Sequence, residues 1–193
     1  RFKIITPKVI DLGADFRLRK VEDWNQWYRK EHLLPNCLSE FVYGLPELHR
    51  EQIQCSNLVA VPGCEATVSI LCLWPLVKLG LIERDPIIID AKMSSSQAGG
   101  SPTPSSHHPE RAGAVRSYMP TGHRHTAEIE QELGCTPDPV RISISATAIE
   151  MVRGLLVTIH AFLKNEFQEK HIWKAYRDAY GNEPFVRIVK QHD

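Results

Sequence analysis

The sequence predicts an α/β fold in which short apolar strands alternate with helices. An aliphatic run at 58–61 is followed, after a Pro-Gly turn, by a mostly apolar helix over 64–80. Residues 87–92 are strongly β-prone, and residues 140–149 and 154–163 are expected to pair as antiparallel neighbours. This alternation predicts a mixed or antiparallel sheet covered by helices. Further strands are expected at 8–12, 116–118 and 185–189, a turn at 42–47, and further helices at 21–33, 47–53, 123–129 and 171–180.

Composition narrows the class of protein. The chain has 193 residues, 42% of them hydrophobic, which is enough for a substantial core. Basic and acidic residues both number 23, so the net charge is zero and favours neither nucleic acid nor an anionic membrane as a partner. No apolar run reaches the ~20 residues of a membrane helix. The five cysteines form no CxxC pair and are interpreted as reduced thiols, so a cytoplasmic location is expected.

Cys64 is the leading candidate for a nucleophile. It lies in the first turn of the predicted helix, directly after Pro62 and Gly63. Unpaired backbone N–H groups and the helix dipole favour a thiolate at this position. The alternative is a buried core cysteine, because free cysteine is among the most buried residue types. The same helix contains Pro75, where a kink is expected.

Two histidines provide a base for such a nucleophile. His123 and His125 open the helix predicted at 123–129, with Thr126 as its N-cap, and Glu128 follows three residues after His125. Glu128 is therefore expected to orient one imidazole and fix its tautomer. The i, i+3 spacing favours His125 as the acid–base, while His123 remains open. A metal site is not expected, because no third ligand stands at a suitable spacing.

A long Ser-, Gly- and Pro-rich loop spans residues 94–113. Its composition also suits a flexible linker, but long loops within a domain are frequently functional, and its backbone N–H groups and hydroxyls are suited to an anion. The candidates for holding a substrate carboxylate or phosphate are Arg17, Arg111 and Arg116, together with Ser94 at the start of the loop.

Several motifs carry a resemblance to one enzyme family. In chain order they are VIDLGADFRL (9–18), VYGLPE (42–47), VPGCEAT (61–67), IIIDAK (87–92), YMPTGHRHTAEIEQEL (118–133) and PFVRIV (184–189). Together they closely resemble the N-acetyl-γ-glutamyl-phosphate reductase family. The loop over 94–113 resembles the branch that reduces an aminoadipyl phosphate carried on a small acidic amino-group carrier protein in lysine biosynthesis.

The resemblance implies a reductase of the glyceraldehyde-3-phosphate and aspartate-semialdehyde dehydrogenase type. In that family the residue matching Cys64 displaces phosphate from an acyl phosphate to give a thioester, and NADPH then reduces the thioester to the aldehyde. The histidine that matches within residues 123–125 acts as acid and base. The implied cofactor is NADP(H), the implied partner an acidic carrier protein, and the full-length form is expected to be a homo-oligomer.

The family's glycine-rich NADP loop is not found in this sequence, so the cofactor-binding residues remain unassigned. Residues 1–18 are interpreted as the end of the cofactor domain, with sheet partners missing from the chain, and residues 19–193 as a truncated catalytic domain. The chain by itself is expected to bind NADPH poorly or not at all. Two alternatives stay open: N-acetylglutamyl phosphate as the substrate, and a non-catalytic or hydrolytic role for the segment.

Overall fold

The computed structural model describes residues 6–99, 103, 106–134 and 137–190. Within them, strands and helices alternate as the sequence predicts, and three short 3-10 segments fall in the connections. The elements are β1 (Val9–Asp11), α1 (Val21–Tyr28), a 3-10 segment (Pro35–Glu40), β2 (Val42–Tyr43), α2 (Pro46–Cys55), β3 (Leu58–Ala60), α3 (Cys64–Lys78), β4 (Ile87–Met93), 3-10 segments (Ser95–Ala98 and His108–Arg111), β5 (Arg116–Met119), α4 (His125–Leu133), β6 (Ile142–Ala148), β7 (Leu155–His160) and α5 (Glu169–Tyr180).

A small parallel sheet precedes Cys64. Its order is β1-β3-β2, and both outer strands run parallel to the central β3. Strand β1 therefore has a partner within the chain, β3, while the expectation that this sheet has further members outside the chain stays a prediction. Residues 42 and 43, predicted as a turn, form the second edge strand. Parallel strands place their carboxyl ends at one edge, and the chain leaves β3 at that edge to reach Cys64.

The larger sheet has the order β5-β6-β4-β7. Strand β4 pairs in parallel with β6 and antiparallel with β7, so the predicted direct pairing of β6 with β7 is wrong. Ile87, Ile89 and Ala91 of β4 are fully buried, and this apolar face places the strand at the centre of the sheet. Periodicity marks a strand but does not choose its neighbours.

Helices α3 and α4 pack against each other and against the buried face of the large sheet. One apolar cluster joins them, and its members include Ile70 and Leu73 of α3, Ile129 of α4 and Ile144 of β6. This packing brings the first turn of α3 beside the first turn of α4. The candidate nucleophile and the candidate bases therefore meet through helix packing rather than through sequence proximity.

Three local predictions differ from the structure. Helix α1 ends at Tyr28 rather than near residue 33, because Arg29 adopts a left-handed conformation with φ 53°. Thr126 is not the N-cap of α4, because it lies inside the helix. The backbone N–H groups at the helix start donate to His123 instead: the His125 N–H to the ring Nδ1 (3.3 Å) and the Thr126 N–H to the backbone carbonyl of His123 (3.0 Å). Residues 185–189 form no strand, and Phe185 is 91% exposed.

The fold class predicted from the sequence is confirmed: a mixed α/β arrangement with one parallel and one mixed sheet. Among the described residues, no helix combines the length and apolar character needed to cross a membrane.

Candidate active site

The turn before α3 requires glycine for reasons of space. The Gly63 backbone has an ordinary φ of −68°, but a Cβ there would lie 2.3 Å from Nε2 of His125. The Gly63 N–H donates to Glu128 Oε2 at 2.9 Å, and the Gly63 carbonyl accepts from the Thr67 hydroxyl at 2.9 Å. Cys64 is thus placed at the helix start by a backbone turn against which the imidazole of His125 packs directly.

Glu65 is the residue that sequence reasoning missed. Its side chain is buried, and its Oε2 accepts from the Cys64 thiol at 2.8 Å. The same oxygen lies 2.7 Å from His125 Nδ1, and Oε1 lies 3.3 Å from His123 Nε2. Burial raises the pKa of this carboxyl, but its contacts with His123 and His125 outweigh burial and hold the pKa well below its usual range. A buried carboxylate therefore links the thiol to both imidazoles.

The two histidines have different environments. His123 Nδ1 accepts from the His125 backbone N–H, so a neutral His123 carries its proton on Nε2 and directs it at Glu65. His125 has Nδ1 toward Glu65 and Nε2 beside Gly63. A His125 ring nitrogen, a Glu65 oxygen and Cys64 Sγ all lie within 4.8 Å of one another. His125 is therefore the imidazole that lies near the thiol. Cys64, Glu65 and His125 together also have the donor types of a metal site.

Glu128 was expected to orient an imidazole, and the structure gives it a different main role. Its Oε1 is 3.8 Å from His125 Nε2, too long for a hydrogen bond. Its Oε2 accepts from the Tyr43 hydroxyl at 2.9 Å as well as from Gly63 N–H, and burial with this carboxylate strongly raises the pKa of Tyr43. Glu128 secures the turn before the cysteine, while Glu65 is the carboxylate nearest to the imidazoles.

The surroundings of Cys64 oppose the thiolate that its place at the helix start favours. Desolvation and the hydrogen bond to Glu65 raise the pKa of the thiol to about 12, although the residue lies at the surface of a cavity. The helix N-terminus favours a thiolate, but a carboxylate in contact with the sulfur outweighs it. The isolated structure therefore holds a thiol that donates to Glu65.

A cavity of about 590 Å³ opens beside Cys64. Three of the predicted anion-binding residues line it: Ser94, Arg111 and Arg116. The predicted Arg17 does not, because its guanidinium donates to the Val61 carbonyl (2.7 Å) and contacts Glu128 (3.4 Å). Lining residues that the sequence did not single out include Trp27, Tyr28, Arg29, Tyr118 and Arg124.

The side chain of Arg111 has the hydrogen-bonding capacity to bind an anion. Its side chain is buried, its Nη2 donates to the Met93 carbonyl, and its Nε has no hydrogen-bond partner among the described residues. Ser94, also buried, lies at the same wall of the cavity. The loop over 94–113 thus reaches the cavity, although residues 100–102 and 104–105 lie outside the described part. A buried guanidinium with a spare N–H is a strong donor for carboxylate or phosphate.

Solved structures of semialdehyde dehydrogenases have a similar fold. Aspartate semialdehyde dehydrogenase from Francisella tularensis superimposes with a TM-score of 0.61 over 88% of this chain and 55% of that chain, at 13% identity. The Candida albicans enzyme, solved with NADP, gives 0.52 over 72% of this chain and 45% of that chain, at 12% identity. At such identities the likeness establishes the fold alone, which is that of a semialdehyde dehydrogenase.

The chain belongs to the family described as semialdehyde dehydrogenase, dimerisation domain, which matches residues 64–193. LysW-L-2-aminoadipate 6-phosphate reductase of Deinococcus radiodurans is 47% identical over 94% of this chain and 51% of its own length. LysW-L-2-aminoadipate/LysW-L-glutamate phosphate reductase of Saccharolobus solfataricus is 44% identical over 94% of this chain and 52% of its own. The resemblance to the carrier-dependent branch is confirmed by these relatives, of whose length the chain spans about half.

Proposed function

We propose that this chain is the catalytic part of an NADPH-dependent acyl-phosphate reductase that forms a semialdehyde through a thioester on Cys64. The main observation that supports this proposal is the group of Cys64, Glu65 and His125 at the wall of an arginine-lined cavity. A nucleophile, a base and an anion site are the three parts that acyl transfer from a phosphate requires.

The chemistry at Cys64 is assigned to residues in contact with it. The thiol loses its proton to the pair formed by Glu65 and His125, and the sulfur attacks the acyl carbonyl. The carbon–sulfur bond forms as the carbon–oxygen bond to phosphate breaks, and the phosphate leaves with both electrons. Arg111 and Arg116 are proposed to hold that phosphate or the substrate carboxylate, since both line the cavity.

NADP(H), when bound, supplies the hydride that reduces the thioester carbonyl. The residues of this chain fit NADP(H) only in part. Cys64 faces an open cavity of about 590 Å³, but no phosphate-binding glycine loop is found in the sequence. We therefore assign the dinucleotide's phosphates to a part of the protein outside this chain. We assign to His125 the return of a proton to the Cys64 sulfur as the carbon–sulfur bond breaks and the aldehyde leaves, which regenerates the thiol.

The domain division stays a proposal. Residues 1–18 are assigned to the cofactor domain and residues 19–193 to the catalytic domain. Strand β1 shares its sheet with β2 and β3, and the matched dimerisation-domain family begins at residue 64. The test is NADPH binding to this chain alone: weak or absent binding supports the division, and tight binding contradicts it. A cytoplasmic location also remains a prediction.

The substrate is proposed to be carrier-bound aminoadipyl phosphate, with carrier-bound glutamyl phosphate and N-acetylglutamyl phosphate as alternatives. The names of the relatives support the carrier-bound form. Arg29, Arg116 and Arg124 are exposed at the cavity, where they suit an acidic carrier. Salt screens such contacts, so KM for the carrier-bound substrate is expected to rise with ionic strength. A salt-independent KM would contradict carrier docking at this surface.

A second copy of the chain is the proposed occupant of the outer face of the large sheet. Ile88 and Leu156 are exposed there (44% and 56%), and the matched family is described as a dimerisation domain. Leu156→Asp is expected to convert the oligomer to a monomer in sedimentation experiments. An unchanged sedimentation coefficient would place the interface elsewhere.

The decisive experiment follows the reverse reaction in the full-length protein. Phosphate-dependent NADP reduction is measured with carrier-bound aminoadipate semialdehyde and with N-acetylglutamate semialdehyde. Cys64→Ser is expected to lower kcat by about 10⁴-fold or more, since it removes the nucleophile. Cys55→Ser, an exposed cysteine outside the cavity, is the matched control. Inactivity of the wild type with both aldehydes would favour a non-catalytic role.

A further inference from the structure

The thiol, carboxylate and imidazole beside the cavity form a set of metal donors. Cys64 Sγ, a Glu65 carboxylate oxygen and a His125 ring nitrogen lie within 4.8 Å of one another. Sulfur, nitrogen and oxygen from three side chains, with one side open, are the ligands of zinc sites that keep a fourth position for water. The open side here is the cavity, toward which Cys64 is exposed.

The His125 ring supplies an independent observation. Its side chain is 5% exposed, and its Nδ1 makes no hydrogen bond of acceptable geometry among the described residues, although Glu65 Oε2 lies 2.7 Å away. A buried polar nitrogen without a hydrogen bond is costly. A cation between Nδ1, Oε2 and Sγ would satisfy that nitrogen.

The surrounding contacts resemble the support that zinc ligands require. Glu65 Oε1, the oxygen turned away from Cys64, lies 3.3 Å from Nε2 of His123, and the backbone N–H of His125 fixes that tautomer. Such outer contacts orient ligands and raise metal affinity. Ligand bond lengths imply donor separations of about 3.4 Å in a tetrahedral site. Glu65 Oε2, at 2.8 Å from Sγ and 2.7 Å from Nδ1, therefore has to move away from both.

We propose that Cys64, Glu65 and His125 capture Zn²⁺ and that the bound ion inhibits the protein reversibly. The Sγ–Zn bond forms as the thiol proton leaves to solvent, and the sulfur electron pair is then no longer available to attack a carbonyl. Sequence spacing gave no such site, because its donors come from the first turns of two different helices. Zinc binding does not depend on the proposed reaction, whereas inhibition rests on it.

Cobalt substitution tests the site without turnover. Metal-free full-length protein is titrated with Co²⁺ alone, and the thiolate-to-cobalt charge-transfer band is followed, then its loss as Zn²⁺ displaces cobalt. The band is expected in the wild type and in Cys55→Ser and absent in Cys64→Ser. His123→Gln, which keeps all three proposed ligands but removes the imidazole that contacts Glu65 Oε1, is expected to weaken binding by about 10–100-fold while keeping the band.

The outcomes separate the two proposals. A band of equal strength in Cys64→Ser, or no band in the wild type, overturns the zinc site whatever the activity. A cobalt band in a protein that reduces no acyl phosphate leaves the metal site standing and contradicts the proposed function. In an active protein, Zn²⁺ is expected to compete with the acyl phosphate and a chelator to restore the rate. Inhibition that persists in Cys55→Ser and disappears on chelation supports the assignment.

Discussion

The two ends of α3 bury polar groups in opposite ways. At its first turn, Glu65 is buried with its oxygens shared among a thiol and two imidazoles. Within the described part of the chain, Nδ1 of His125 makes no hydrogen bond of acceptable geometry, although Glu65 Oε2 lies 2.7 Å away. These groups are crowded and incompletely satisfied. Polar groups held in this state favour a change of protonation or the arrival of a ligand.

The far end of the same helix shows the reverse. Pro75 lacks the N–H that would donate to the Leu71 carbonyl, and the helix continues through it to Lys78. The hydroxyl of Tyr180 donates to the Leu71 carbonyl at 2.8 Å, and that of Tyr176 to the Cys72 carbonyl at 2.5 Å. Helix α5 thus supplies the hydrogen bond that proline removes.

We infer from this difference that the first turn of α3 serves chemistry and its far end serves the stability of the fold. The far end satisfies its buried acceptors with neutral donors, so it stabilises the fold. The first turn accumulates a carboxylate, a thiol and two imidazoles, an arrangement that apolar packing would replace without loss of stability if no chemistry required it.

Among the variants that keep Cys64, the largest effect is expected from the imidazoles. His125→Asn is expected to lower kcat by about 10²–10⁴-fold, because it removes the proposed acid–base in contact with Glu65 Oε2. The variant is also expected to lose the limb of the pH–rate profile that reports the base. His123→Asn keeps that limb and changes kcat less. Equal losses in both variants would refute the assignment of His125.

Gly63→Ala tests the close approach of the turn to the imidazole. The new Cβ would meet His125 Nε2 at 2.3 Å, so either the ring or the turn must move. We expect a loss of about 1–3 kcal/mol in the free energy of unfolding, together with a lower kcat. Urea denaturation and kinetics on the same preparation measure both. Full stability with full activity would show that the ring is not held against the turn.

Glu65→Gln tests the control of the thiol pKa. The carboxylate contributes to raising the Cys64 pKa to about 12, so its removal lowers that pKa and increases the thiolate fraction at any pH below it. Each unit of decrease raises that fraction about tenfold. Iodoacetamide labelling against pH is expected to shift to lower pH. Cys72, whose pKa burial alone raises, is the internal control and keeps its rate.

The smallest effect concerns the far end of α3. Tyr180→Phe leaves the Leu71 carbonyl without its donor, at a cost of about 1–3 kcal/mol in the free energy of unfolding. In a Pro75→Ala background the helix regains an N–H at position 75, so the same substitution is expected to cost less. The double-mutant cycle measures this coupling. Additive effects would mean that Tyr180 does not compensate for the proline.

Part of the site was predictable because it depends on local chain geometry. A Pro-Gly turn after an aliphatic strand places Cys64 at the first position of α3, as predicted. Ser94, Arg111 and Arg116, the predicted anion-binding residues, all line the cavity beside Cys64, while their binding of an anion stays a prediction. Arg17 does not line the cavity, because its guanidinium contacts the Val61 carbonyl and Glu128. Those contacts depend on the tertiary structure, which brings residues 61 and 128 together.

The sequence alone determined most of the helices and strands, the position of Cys64 at the start of a helix and the family resemblance, since periodicity, turn residues and motifs act over a few residues. Only the tertiary structure decided the central place of β4, the burial of Glu65 between Cys64 and the two histidines, and the role of Glu128. An acidic residue in the first turn of a helix ordinarily signals only a favourable dipole interaction. What turns Glu65 into a buried bridge is the packing of α4 on α3, and such packing depends on contacts more than fifty residues apart in sequence.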